Sequence, residues 1–147
     1  MAARLAFALF LALSGCAGVA GREADGRPLP AFPRALPPAP GEERIQRTAR
    51  GAGYLAWQGW CLGISAADGS FTTFVWPHTA RLERDRRGIV VRDGASGARI
   101  RVGDYFEWGG GAGPAPPAAF LSEPVRPECA ARTMAIDPGF RRARPPR

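Results

Sequence analysis

Between Tyr54 and Ile136 the chain is cut by glycines into short runs of aromatic and β-branched residues, and no run sustains a helical repeat. That punctuation restricts what can form, because strands need only four to eight such residues while a packed helix needs a longer apolar stripe. Tyr54–Ile64 carries Gly59 and Gly63 and reads as one long, strongly bent strand. Asp68-Gly69 is a turn signal, and Phe71-Thr-Thr-Phe-Val-Trp76 reads as a strand ended by Pro77. Ile89–Arg92 follows the turn Arg86-Arg87-Gly88. Ala98–Val102 alternates, with Ile100 and Val102 inward and Arg99 and Arg101 outward. Gly103-Asp104 turns the chain into Tyr105–Trp108. Gly109–Gly113, with Pro114, Pro116 and Pro117, reads as a loop, and Cys129–Ile136 as the last strand. The expected class is therefore all-β, a barrel or sandwich.

The N-terminus carries an address. Arg4 precedes an uncharged apolar run, Leu5–Leu13, and then Ser14-Gly15-Cys16. These are the three regions of a secretory signal. Nine apolar residues are too few for a membrane span, which needs roughly 20. The run Leu13-Ser14-Gly15-Cys16 resembles the bacterial lipobox. The resemblance implies cleavage between Gly15 and Cys16, diacylation of the Cys16 thiol, and stable membrane anchoring by two or three acyl chains. Ala17, a residue other than aspartate after the cysteine, implies by the same resemblance the outer membrane, facing the periplasm.

With Cys16 assigned to lipid, Cys61 and Cys129 remain as a candidate pair in an oxidising compartment. The alternatives are two free thiols or a metal site, and no second Cys or His lies near either residue in sequence. All 20 basic residues are arginine, and the net charge is +7. Loss of Arg4 with the leader leaves 19 arginines against 13 acids, a net charge of +6. Such a balance reflects base composition and solubility first, and attraction to anionic lipid headgroups, sugar phosphates or nucleic acid second. Residues 17 to about 50 hold six prolines from Pro28 to Pro40 with little aliphatic content, which predicts an extended tether, with at most a short helix over Glu42–Arg50. The expected division is thus a signal peptide over 1–15, a lipidated tether over 16–50, a domain over 51–138 and a basic disordered tail over 139–147.

The strand order, together with Cys-Leu-Gly-Ile at 61–64, Phe-Val-Trp-Pro at 74–77, Val-Gly-Asp at 102–104 and the glycines at 109–113, resembles a five-stranded oligonucleotide/oligosaccharide-binding barrel (OB-fold), as in small domains of bacterial lipoproteins. The likeness covers residues 54–136. On such a barrel, exposed aromatics stack sugars or bases and arginines meet phosphates, which singles out Trp76, His78, Arg99, Arg101, Tyr105 and Trp108 as candidate ligand contacts. The competing account puts most of the aromatics in the core. No catalytic constellation is visible: there is one histidine, His78, no Gly-x-Ser-x-Gly elbow, and no phosphate-cradling loop. No cofactor or metal is expected. The reading is a non-catalytic binding or interaction domain held at the membrane by its lipid. Envelope glycan, lipid phosphate or an envelope protein rank as partners ahead of nucleic acid. The alternatives are an enzyme on an envelope polymer or lipid with His78 as general base, and a nucleic-acid-binding OB module.

Overall fold

The computed structural model describes residues 28–42, 49–66 and 68–147. The signal peptide, Gly15, Cys16 and positions 43–48 of the expected short helix lie outside the described residues; Ala49 and Arg50, which close that helix, lie in a strand. The described chain is all-β. Nine strands follow one another: β1 (Ala49–Gln58), β2 (Cys61–Ser65), β3 (Phe71–Val75), β4 (Arg81–Asp85), β5 (Gly88–Arg92), β6 (Arg99–Arg101), β7 (Tyr105–Gly113), β8 (Thr133–Ile136) and β9 (Arg141–Arg142). Two single 3₁₀ turns, Ala118–Phe120 and Pro127–Cys129, interrupt the link from β7 to β8.

One sheet has the order β1-β2-β3-β8-β7-β9, and β1 also pairs with β7. The pairings β1-β2-β3-β8-β7 therefore return to β1. The long first strand makes this possible by changing neighbour along its length. Ala49–Tyr54 pair antiparallel with Gly110–Tyr105, and Leu55–Gln58 pair with Ile64–Cys61. All contacts are antiparallel except β3 with β8, which run parallel with Phe74 opposite Met134. A second, three-stranded sheet, β4-β5-β6, packs its inward row on the same core: Val91 and Ile100 are fully buried and Leu82 partly so.

Aromatic residues make that core. Phe74 is edge-on to Trp76, Phe106 and Trp108, with ring centroids 5.4, 5.9 and 5.1 Å away. Such edge-to-face geometry is favoured because a ring's positive rim meets a neighbour's negative face. Phe32, Leu55, Leu62, Ala80, Ile136 and Phe140 complete the cluster.

Several sequence expectations need correction. The segment Tyr54–Ile64 is two strands, not one bent strand. Gln58 faces Cys61 across a two-residue loop, Gly59-Trp60, with Gly59 at φ 58°. A tight hairpin needs positive φ at such a position, and glycine supplies it without steric cost. Residues 109–113 are strand, not loop: they continue β7 and pair with β8. At Gly110 the backbone of β8 comes so close that a Cβ would overlap the Ala135 carbonyl oxygen, so the glycines permit the pairing. Cys129 ends a 3₁₀ turn and precedes β8 rather than opening it. Strand β4, rich in charge, was not expected.

The termini differ as well. Part of the expected tether is docked: Ala31 bridges Cys61, Arg34 bridges Trp76 and Ala35 bridges Leu121. Phe32 stacks on Trp76 at 5.3 Å and is 8% exposed. A phenylalanine able to bury its ring contributes about 2 kcal/mol, which composition alone does not reveal. The expected disordered tail over 139–147 includes Phe140, fully buried among core rings, and Arg141–Arg142 pair with Glu107–Phe106. The loop hub is Asp93. Its buried carboxylate accepts hydrogen bonds from the amides of Ala95, Ser96 and Gly139 and from the Ser96 hydroxyl, tying the β5–β6 turn to the C-terminal segment.

Candidate functional site

The β1–β2 hairpin, the β2–β3 end and the segment before β8 enclose an open cleft of about 440 Å³, lined by Gln58, Trp60, Phe71, Glu128 and Arg132 among others. Its construction begins at Gly59. The tight loop leaves Trp57 and Trp60 too near the tip to reach the core, and both remain more than a third exposed. Trp57 is fixed by its indole N–H, which donates to the Gly59 carbonyl at 2.7 Å. Trp60 is held by the guanidinium of Arg126, 4.5 Å from its ring centroid, a cation–π contact of about 0.5–1 kcal/mol at an exposed site. Its carbonyl accepts the amide of Ala31 at 2.8 Å.

The next residue locks the opposite wall. Cys61 and Cys129 form a disulfide with Cα atoms 5.5 Å apart. It staples the segment carrying Glu128 and Arg132 beside the hairpin, so the cleft's two walls are covalently joined. On the rim, Asp68 accepts the Ser70 amide at 2.9 Å. Hydrogen bonds from Ser70 hold the Asp68 carboxyl below its usual range, with the positive charge of Arg132 acting in the same direction. The site therefore offers one aromatic face, a partly buried aromatic floor at Phe71, and both signs of charge at Glu128 and Arg132.

The six residues singled out from the sequence do not gather at one place. Trp76 is fully buried, its faces covered by Phe32, Phe74 and Phe140, and its indole N–H lacks a hydrogen-bond acceptor among the described residues. Trp108 is buried too, donating to the Met134 sulfur at 3.1 Å. Neither has a face free to stack a ligand. Tyr105 packs edge-on against Tyr54, ring centroids 5.1 Å apart, on the β1–β7 face. His78 is half-buried in the β3–β4 loop, where its carbonyl accepts from Arg81 at 3.0 Å.

Arg99 and Arg101 stand on the small sheet. Arg99 pairs with Glu83, and Arg101 reaches Asp85 through two hydrogen bonds of 2.6 and 2.7 Å. That bidentate contact, with help from the Arg87 amide, lowers the Asp85 carboxyl to about 2. Among the described residues no group of three or more His, Cys, Asp or Glu side chains could hold a metal ion. Cleft residues Phe71, Glu128 and Arg132, and Arg126 over the Trp60 ring, were missed, because reading 54–64 as a single strand hides the hairpin tip. The dipeptide Gly59-Trp60 before Cys61 was the available signal.

No family model matches the chain, and neither a curated protein nor a solved structure matches it.

Proposed function

We propose that this is a lipid-anchored protein of the bacterial envelope whose domain, a small OB-like barrel, binds an extended glycan without catalysis in the cleft beside Trp60. The barrel reading draws support from a ring of five pairings that returns to its long first strand. Ligands of OB-like barrels lie on the second and third strands, between the loop joining the first two and the loop joining the last two. Here those loops correspond to Gly59-Trp60 and the segment ending in Arg132, the two walls of the cleft. The observation that carries the reading is Trp60: an indole 38% exposed, held by Arg126 and backed by a disulfide. An apolar ring held in place can stack on a sugar at little entropic cost, while Gln58, Glu128 and Arg132 supply hydrogen bonds to hydroxyls.

The anchor reading rests on Leu13-Ser14-Gly15-Cys16, and the Cys61–Cys129 disulfide suits an oxidising envelope compartment. The test uses the protein isolated from bacterial membranes. Intact mass should show a chain beginning at acylated Cys16, and Cys16→Ser should leave the leader uncleaved. Binding to soluble peptidoglycan and lipopolysaccharide glycan fragments should weaken about tenfold or more in Trp60→Ala, the scale of one lost stacking contact. Binding by neither glycan, or equal binding by Trp60→Ala, would overturn the proposed ligand. Affinity for single-stranded DNA that collapses with salt would instead favour the nucleic-acid module.

A further inference from the structure

The small sheet carries a feature that the glycan cleft does not use. Its register places Arg81 opposite Arg92 and Arg92 opposite Arg99, three arginines in one row across three strands. The next row, Leu82-Val91-Ile100, faces the core, so the arginine row faces outward, and all three residues are exposed. Like charges directly opposite one another in a sheet are destabilising. Acids from the rows beyond reach back diagonally across the sheet: Glu83 pairs with Arg99 at the end of the arginine row, and Asp85 pairs with Arg101. The central arginine, Arg92, has no acid in its row.

The flanking side chains are positioned and not consumed. One nitrogen of Arg81 donates to the carbonyls of His78 and Ala80, at 3.0 and 3.1 Å, and one nitrogen of Arg99 donates to Glu83. Each guanidinium has five N–H donors in a planar fork, so both retain donors. Beside Arg81 the cationic surface continues into a cleft of about 590 Å³, lined by Arg34 of the docked segment, Phe32, Leu82, Ser122 and Glu123. The Glu123 carboxylate accepts the Phe32 amide, and the Ser122 hydroxyl accepts the Arg34 amide at 3.2 Å. With strands roughly 4.8 Å apart, the row spans about 10 Å.

We infer that the outer face of β4-β5-β6, centred on Arg92, is a binding site for a phosphate-bearing ligand, either a soluble oligophosphate or a lipid phosphodiester headgroup. A planar fork matches phosphate oxygens two at a time, and a ligand with several negative charges relieves the repulsion along the row.

The experiment uses the full chain in nonionic detergent at low salt, with calorimetric titration. One arm adds sodium tripolyphosphate; the other adds phosphatidylglycerol to the micelles, with phosphatidylcholine as control. Arg92→Gln should weaken binding about tenfold, one charge-assisted contact, and Arg92→Lys should fall between it and wild type. Arg50→Gln, on the far sheet, and Trp60→Ala should bind as wild type does, which separates this site from the glycan cleft. Arg92-dependent binding in the first arm alone assigns a soluble ligand, and in the phosphatidylglycerol arm a headgroup. Equal losses in Arg92→Gln and Arg50→Gln, or no binding in either arm, would overturn the inference.

Discussion

Replacing Asp93 tests whether one buried carboxylate fastens the C-terminal segment to the domain. It accepts four hydrogen bonds, at 3.1 Å from Ala95, 3.1 and 2.7 Å from Ser96, and 2.8 Å from Gly139. Hydrogen bonds to a charged group contribute about 1.5–3 kcal/mol each. Simple addition would overshoot, because Ala95, Ser96 and Gly139 are exposed and their amides regain water once the carboxylate is gone. Relief of a buried charge offsets part of the rest. The net expectation for Asp93→Ala is about 3 kcal/mol. Asp93→Asn keeps one acceptor oxygen and turns an amide group toward an N–H, so it should lose about half as much. Urea unfolding with an unchanged slope measures both. Hydrogen exchange at Gly139 should accelerate along with them, since the same bond holds Phe140 over the core. Asp93→Ala within about 1 kcal/mol of wild type would refute the reasoning, showing that Phe140 packing suffices without the anchor.

The disulfide encloses a separation of 68 residues, for which the chain-entropy relation gives about 4 kcal/mol. The double variant Cys61→Ala/Cys129→Ala should show that deficit in the same unfolding assay, and a loss under about 1 kcal/mol would mean the reduced chain is already constrained. Asp85 should titrate near 2, because the bidentate contact with Arg101 and the Arg87 amide favour its charged form. The sign follows: a depressed carboxyl gives a contribution present above its unfolded value and lost as pH falls through the folded one. Carboxyl NMR should place the Asp85 midpoint there and return it toward 3.8, the ordinary value, in Arg101→Gln; an unmoved midpoint would assign the shift elsewhere.

The class of the fold was legible because strand signals are local. Phe71–Val75 announces itself by β-branched and aromatic residues, and the Arg99/Ile100/Arg101 alternation gives the correct faces. What escaped depends on partners distant in sequence. Four glycines within 109–113 and the prolines after them look like a loop until β8 approaches so closely that only glycine fits at position 110. Strand β4 reads as a charged stretch, since its outward acids are satisfied by arginines sixteen residues away. The candidate site fared worse for the same reason. Tryptophans near strand ends look equally available in sequence, but the core takes Trp76 and Trp108, and the hairpin leaves Trp60 outside.

The docked N-terminal segment changes the geometry that the anchor reading entails. A tether running freely to residue 50 would let the domain wander far from the bilayer. Docking from Pro28 onward leaves residues 17–27 between the lipidated cysteine and the domain, a length that spans at most about 40 Å even fully extended. Ala31 enters beside the hairpin, its amide on the Trp60 carbonyl at 2.8 Å, and the segment then passes Trp76 to reach Leu121. On the lipid-anchor reading, the chain therefore departs toward the membrane from the same end that carries the Trp60 cleft. A ligand reaching that cleft must come from within the short gap the tether allows, which favours polymers lying along the envelope surface over those free in solution. Shortening or lengthening residues 17–27 should then alter glycan capture in cells while leaving the purified domain's affinity unchanged, because the tether sets effective concentration and not contact energy.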